Sequence, residues 1–212
     1  MINIVILGGG NVAYHLTNAL LQNSAVNVVQ VYNRSLEKID CFKNITLITN
    51  NLSELKEADI YILAVSDNVI SELSSTLNLK NKLVVHTSGS MALDELKSTS
   101  KKGVFYLLQS FSKERGIDFS TVPICIEAET DEDLHLLETL AKSISKHYFR
   151  INANTQKRLP VASVFVYNFV THLYVIDLHT RHQKTYPYAI FLSIVFAPAS
   201  KITTFLPHST VV

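Results

Sequence analysis

The chain has 212 residues and a formal net charge of +1, with a pI near 7.8. That length predicts one large domain with a smaller one attached, and the balanced charge offers no basic stripe for a phosphate backbone, so nucleic acid is not an expected partner. Two cysteines, Cys41 and Cys125, imply no disulfide framework and fit a cytoplasmic setting; the N-terminus lacks a signal-peptide pattern, and the apolar run Ala189 to Ala199 is too short for a membrane span.

The chain opens on an apolar run, Ile2 to Leu7, which breaks into Gly8-Gly9-Gly10-Asn11-Val12-Ala13 and then into helical spacing at Tyr14 to Leu21. This order predicts a strand, a tight turn and a helix whose N-terminus receives a pyrophosphate. Gly8 permits the exit from the strand, Gly10 admits a phosphate close to the backbone, and Asn11 and Val12 open the helix. Ala13 is small where the helix packs on the strand. A plain glycine turn is the alternative. The next strand, Asn27 to Tyr32, ends in Asn33-Arg34-Ser35, with no carboxylate to accept from a ribose 2′-hydroxyl. Arg34 suits the 2′-phosphate of NADP(H), with Asn33 and Ser35 beside it, unless it is only a solvated loop residue.

Further strands are predicted at Ile45 to Ile48, Ile60 to Val65, Lys82 to Thr87, Gly103 to Leu108, Pro123 to Ala128 and Tyr148 to Asn152. Helices are expected at Val12 to Gln22, Leu52 to Lys56, Val69 to Leu77, Leu93 to Ser98 and Glu132 to Ser145. The alternation predicts an α/β fold with a parallel sheet, and the loss of strand pattern after Asn152 sets a boundary between residues 1–152 and a helical segment, 153–212.

Ligands of open α/β sheets sit at the carboxyl ends of strands. There, Ala64, Val65 and Ser66 are candidate cofactor contacts, and Asp67 is expected to cap the following helix or to meet a ribose. His86-Thr87-Ser88-Gly89-Ser90 reads as a loop facing substrate or nicotinamide, with His86 alternatively a histidine inside the sheet. Gln109 and Lys113 are within plausible reach of the same cleft. Asp131, Glu132 and Asp133 read as the acidic first turn of a helix. Asn168 and His172 share one helix face, placing His172 either as a proton donor or in a helix–helix contact. No histidine spacing suits a metal, and no GxSxG frame seats a hydrolase nucleophile.

Together, Val5 to Ala13, Asn33-Arg34-Ser35, Ala64 to Asp67, His86 to Ser90 and Leu108-Gln109-Ser110-Phe111-Ser112-Lys113 resemble a family of little-characterised bacterial candidate NADP oxidoreductases. Its Rossmann domain is similar to that of pyrroline-5-carboxylate reductases and other relatives of 6-phosphogluconate dehydrogenase, and a helical domain of unknown function follows. The resemblance implies a Rossmann-type doubly wound, mostly parallel sheet. It also implies a homodimer formed through the helical domain, which closes a small-molecule substrate cleft, and hydride transfer between NADPH and a C=N or C=O group.

The likeness frays beyond Tyr174. Every acidic residue lies at or before Asp177, and the apolar, hydroxyl-rich stretch Ile190 to Val212 contains Pro198 and Pro207. Leu107 stands where relatives have Pro, and Pro160 falls in the first turns of the long helix. These departures predict a short, incomplete helical domain and leave two functions open. One is an NADP-dependent reductase with Ser88, His86 and His172 as catalytic residues. The other is a non-catalytic NADP-binding module for dimerisation or redox sensing. An apolar tail prone to aggregation is a third reading.

Overall fold

The computed structural model describes residues 1–97 and 100–151, and the helical segment expected over 153–212 lies outside them. Eight strands form one sheet: β1 (Ile2–Leu7), β2 (Val26–Tyr32), β3 (Leu47–Thr49), β4 (Ile60–Leu63), β5 (Leu83–His86), β6 (Lys101–Leu107), β7 (Ile124–Ala128) and β8 (Tyr148–Arg150). Their order is β3-β2-β1-β4-β5-β6-β7-β8. The chain runs outward from β1 to β3 and then returns to place β4 on the other side of β1. This reversal is the switch point at which open α/β sheets bind their ligands.

Three helices cover the sheet: α1 (Asn11–Leu21), α2 (Asp67–Thr76) and α3 (Asp131–Ile144). Every residue of β4 and β5 is buried, because helices lie over both faces and each strand can be apolar throughout. On one face Ile4, Ile6, Ile62, Val85 and Phe105 pack with Leu16 and Leu20 of α1 and with Leu137 and Leu140 of α3. On the other, Val5, Leu63 and Val84 pack with Ile70, Leu73 and Leu77 at and beyond α2.

The sheet is mostly parallel, as the resemblance implies: β7 pairs antiparallel to β6, with Tyr106 opposite Cys125, and β8 follows the direction of β7. Between β6 and β7 the chain forms short turns, at Ser112–Arg115 and Phe119–Thr121, and without a crossover helix the strand returns antiparallel. The helices expected at Leu52 to Lys56 and Leu93 to Ser98 shrink to single 3₁₀ turns, Leu52–Glu54 and Leu93–Glu95. Segments this short cannot repay helix nucleation, and Tyr61 draws the first one straight by donating to the Lys56 carbonyl at 2.8 Å.

The acidic start of α3 is found as expected and is tied down further. The Thr130 hydroxyl accepts the Asp133 N–H at 3.2 Å and donates to its carboxylate at 2.6 Å, while Lys101 of β6 pairs with Asp133 at 3.2 Å. Lys101 is held above its ordinary pKa, chiefly by its hydrogen bond to Asp133.

Candidate functional site

The carboxyl ends of β1, β2, β4, β5 and β6 open onto one cleft of about 680 Å³. Its floor is the glycine turn. Gly8 adopts a φ of +147°, and a Cβ there would overlap the Ala64 carbonyl oxygen, so no other residue fits. The Gly8 N–H donates to the Tyr32 carbonyl at 2.8 Å, and Ala13 is buried beneath, 3.4 Å from the missing Cβ position. A Cβ on Gly9 would come within 2.9 Å of Asn33 Cγ and Lys38 Cβ, which makes the middle glycine the contact between this turn and the end of β2.

Gly10 differs from both. Its backbone is extended, a Cβ would meet nothing within 4 Å, and the space beside it is the cleft itself. As N-cap of α1 it has no side chain to accept from the first turn, so the N–H groups of Asn11 and Val12 are left for an anion. An open cradle over an uncapped helix start fits a pyrophosphate. The Asn11 side chain is engaged elsewhere, donating to the Phe111 carbonyl at 2.9 Å, and one turn on His15 Nε2 donates to the Ser112 carbonyl at 2.8 Å.

At the end of β2, Asn33, Arg34 and Lys38 line the cleft. Asn33 Nδ2 folds back to the Ser35 carbonyl at 2.8 Å, and Ser35 itself does not reach the cleft wall. Arg34 is exposed and makes no hydrogen bond or ion pair among the described residues. Lys38, missed from sequence, enters because the 3₁₀ turn Leu36–Lys38 carries it back beside Gly9. Two cations and no carboxylate mark this end of the cleft.

After β4, Ala64, Val65 and Ser66 all line the cleft. Asp67 does not cap α2 as expected. Ser66 is the N-cap, without a side-chain bond, and Asp67 Oδ2 accepts instead from the Ser90 hydroxyl at 2.5 Å. After β5, Ser88 faces the cleft at 8% exposure, its hydroxyl oxygen accepting from the N–H groups of Ser90 and Met91, both at 3.1 Å.

His86 lies beneath this loop and not on the cleft wall. It is fully buried, its Nδ1 accepts the Ser88 N–H at 3.2 Å, and its Nε2 has no hydrogen-bond partner among the described residues. Burial pushes the imidazole down to about 4, against smaller opposing effects of the Ala92 backbone, Asp67 and the Ser88 backbone. The ring is therefore neutral at pH 7, with its proton on Nε2.

Of the residues considered on β6 and beyond, Gln109 lines the cleft, whereas Lys113 is exposed and stands 5.3 Å over the Tyr14 ring. Tyr106 and Phe111 also line it and were not foreseen. The Tyr106 ring occupies the space that a Cβ on Gly89 would need. His172 and Asn168 lie outside the described residues. Among the described residues no helix is long and apolar enough to cross a membrane.

Comparisons with known proteins place these features in a family. Residues 3–89 match the model described as NADP oxidoreductase, coenzyme F420-dependent, and residues 122–210, reaching well past Tyr174, match a domain of unknown function (DUF2520). No curated protein matches the sequence. Among solved structures, a candidate NADP oxidoreductase from Bacteroides fragilis is similar at 30% identity, covering 97% of this chain and 82% of its own, with a TM-score of 0.73. The fold is also that of an imine reductase from Bacillus cereus, at 14% identity over 96% and 73% of the two chains and a TM-score of 0.65. A 1-pyrroline-5-carboxylate reductase from Streptococcus pyogenes shares it at 15% identity, 100% and 82% coverage and a TM-score of 0.65. By the likeness to the Bacteroides protein, the chain belongs to the family of NADP oxidoreductases, with the oxidoreductase match over residues 3–89 followed by the DUF2520 match over 122–210, which includes β7, α3 and β8.

Proposed function

We propose that the protein is an NADPH-dependent reductase of a small C=N or C=O compound. The observation that carries the choice of NADPH over NADH is the pair Arg34 and Lys38 on a cleft wall that has no carboxylate at the end of β2. A guanidinium and an ammonium suit a 2′-phosphate, whereas a ribose 2′-hydroxyl calls for an acceptor that is missing there. Gly10 and the first turn of α1 would hold the pyrophosphate, and Ser88, Tyr106 and Gln109 would border the nicotinamide. When bound, the cofactor supplies a hydride to the carbon of the C=N or C=O group, and a proton is added to the nitrogen or oxygen.

Ser88 is the proposed substrate-facing residue, and His86 acts from beneath through the Ser88 N–H. Two proteins of the same fold are named for C=N compounds, an imine and a pyrroline carboxylate, which supports testing that class first.

The chain has no Trp, so NADPH emission can be followed against a quiet background. Titration is expected to favour NADPH over NADH by about ten- to a hundred-fold, with Arg34→Ala and Lys38→Ala each moving NADPH toward the NADH value. Equal affinity for the two nucleotides in the unaltered protein overturns the choice of NADPH. Cyclic imines and 2-keto acids are then screened by loss of NADPH absorbance, and binding without turnover of either class favours the non-catalytic module.

A further inference from the structure

Asp67 is the one carboxylate among the described residues of the cleft wall, and its bond to Ser90 continues into a chain. Ser90 Oγ lies 3.2 Å from Ser88 Oγ, and the Ser88 N–H reaches His86 Nδ1 at 3.2 Å. The protons have a determined direction. A carboxylate only accepts, so the Ser90 proton points to Asp67; Ser88 Oγ already accepts two N–H bonds, so its own proton is the one left to donate toward Ser90. The chain therefore runs from the first residue of α2 to the last residue of β5.

A second observation shows that the loop is held from its other side. Gly89, between the two serines, leaves room only for the Tyr106 ring, so residues 88–90 are set between that ring and the Asp67 bond. Asp67 is exposed and stands in the first turn of α2, where a carboxylate is favoured without Ser90, so the helix itself does not require the contact. In the order β2-β1-β4-β5 the loop lies three strands from Arg34, about 14 Å at the usual strand spacing. A dinucleotide anchored at Arg34 and crossing the switch point brings its nicotinamide half there.

We infer that Asp67 is a positioning residue that acts through Ser90 to hold the loop after β5 against the nicotinamide half of the cofactor. This rests on the NADPH reading above, and one pair of ligands separates the two. Adenosine 2′,5′-bisphosphate tests the Arg34 end alone, whereas NADPH needs both ends. Both are titrated into the full chain and into Asp67→Ala, Asp67→Asn and Ser90→Ala.

Asp67→Ala and Ser90→Ala are expected to weaken NADPH by up to about tenfold, the upper end for one hydrogen bond, and to shift its bound emission. The bisphosphate should stay within about twofold, as for sites that distant and sharing no partner. Asp67→Asn keeps an oxygen that accepts from Ser90 and should hold NADPH near the unaltered value. Unchanged NADPH binding in both alanine variants overturns the inference. So does an equal loss for both ligands, which signals general damage, and so does Asp67→Asn as weak as Asp67→Ala, which makes the charge the determinant. If the unaltered protein binds no bisphosphate, the NADPH reading fails first and takes this inference with it.

Discussion

Gly8 and Gly10 stand two residues apart and constrain the protein in opposite ways. Gly8 combines a positive φ with a backbone oxygen where a side chain would begin, so Gly8→Ala is expected to cost roughly 1–3 kcal/mol from the backbone conformation alone, before the overlap is relieved. Gly10 has extended backbone and open space, so Gly10→Ala should leave the melting temperature unchanged while its methyl group intrudes on the phosphate cradle and weakens NADPH. Thermal melts beside nucleotide titrations check the pair, and a fold-destabilising Gly10→Ala contradicts the open cradle. His86 makes a second prediction at this scale. Its folded value of about 4 lies below the ordinary 6.5, so between these values the unfolded chain binds the extra proton and stability falls as pH falls. Full stability is present above about pH 6.5, and the loss across the window is about 3 kcal/mol. Urea midpoints at about pH 4.5 and pH 7 should differ less in His86→Asn than in the unaltered protein. An identical acid loss in the two assigns it to other groups.

The elements are held by contacts that differ in how far apart their partners lie, and this governs what the sequence discloses. Thr130 caps α3 from the neighbouring position, so Thr130→Ala is expected to lower stability by about 1–2 kcal/mol in a urea melt, with no effect on nucleotide binding, since α3 does not reach the cleft. All eight strands are legible in order, because each is a short apolar run between turn residues, and so is the glycine turn, whose meaning lies in consecutive positions. The direction of β7 is not legible, because an alternating or apolar run has no polarity; only the absence of a helix in residues 108–123 hints at it. Asp67 illustrates the limit at the site. From sequence it reads as a cap on its own helix, yet its partner Ser90 is 23 residues away and meets it only because β4 and β5 are neighbours. Lys38 was missed for a related reason, since a single 3₁₀ turn returns it to Gly9 without any periodic signal.

Across the whole molecule the charge is nearly balanced, at +1, so no long-range field draws an anionic cofactor and its attraction must come from the cleft. There the cations Arg34 and Lys38 belong to the end of β2, and Asp67 to the start of α2, beside the loop after β5. NADPH differs from NADH only by the 2′-phosphate, so the whole of any preference between them is placed at the cationic end. Arg34 and Lys38 are exposed, and contacts between exposed charges are screened over a Debye length of about 10 Å at 0.1 M salt, shortening to about 3 Å at 1 M. NADPH affinity should therefore fall several-fold between about 0.05 M and 0.5 M salt while NADH affinity falls much less, so that the preference narrows. Arg34→Ala with Lys38→Ala should abolish that narrowing, because the variant has little preference left to lose. Parallel salt dependences for the two nucleotides in the unaltered protein would mean that the cations hold the shared pyrophosphate instead, and the cofactor choice would then have to come from elsewhere in the cleft.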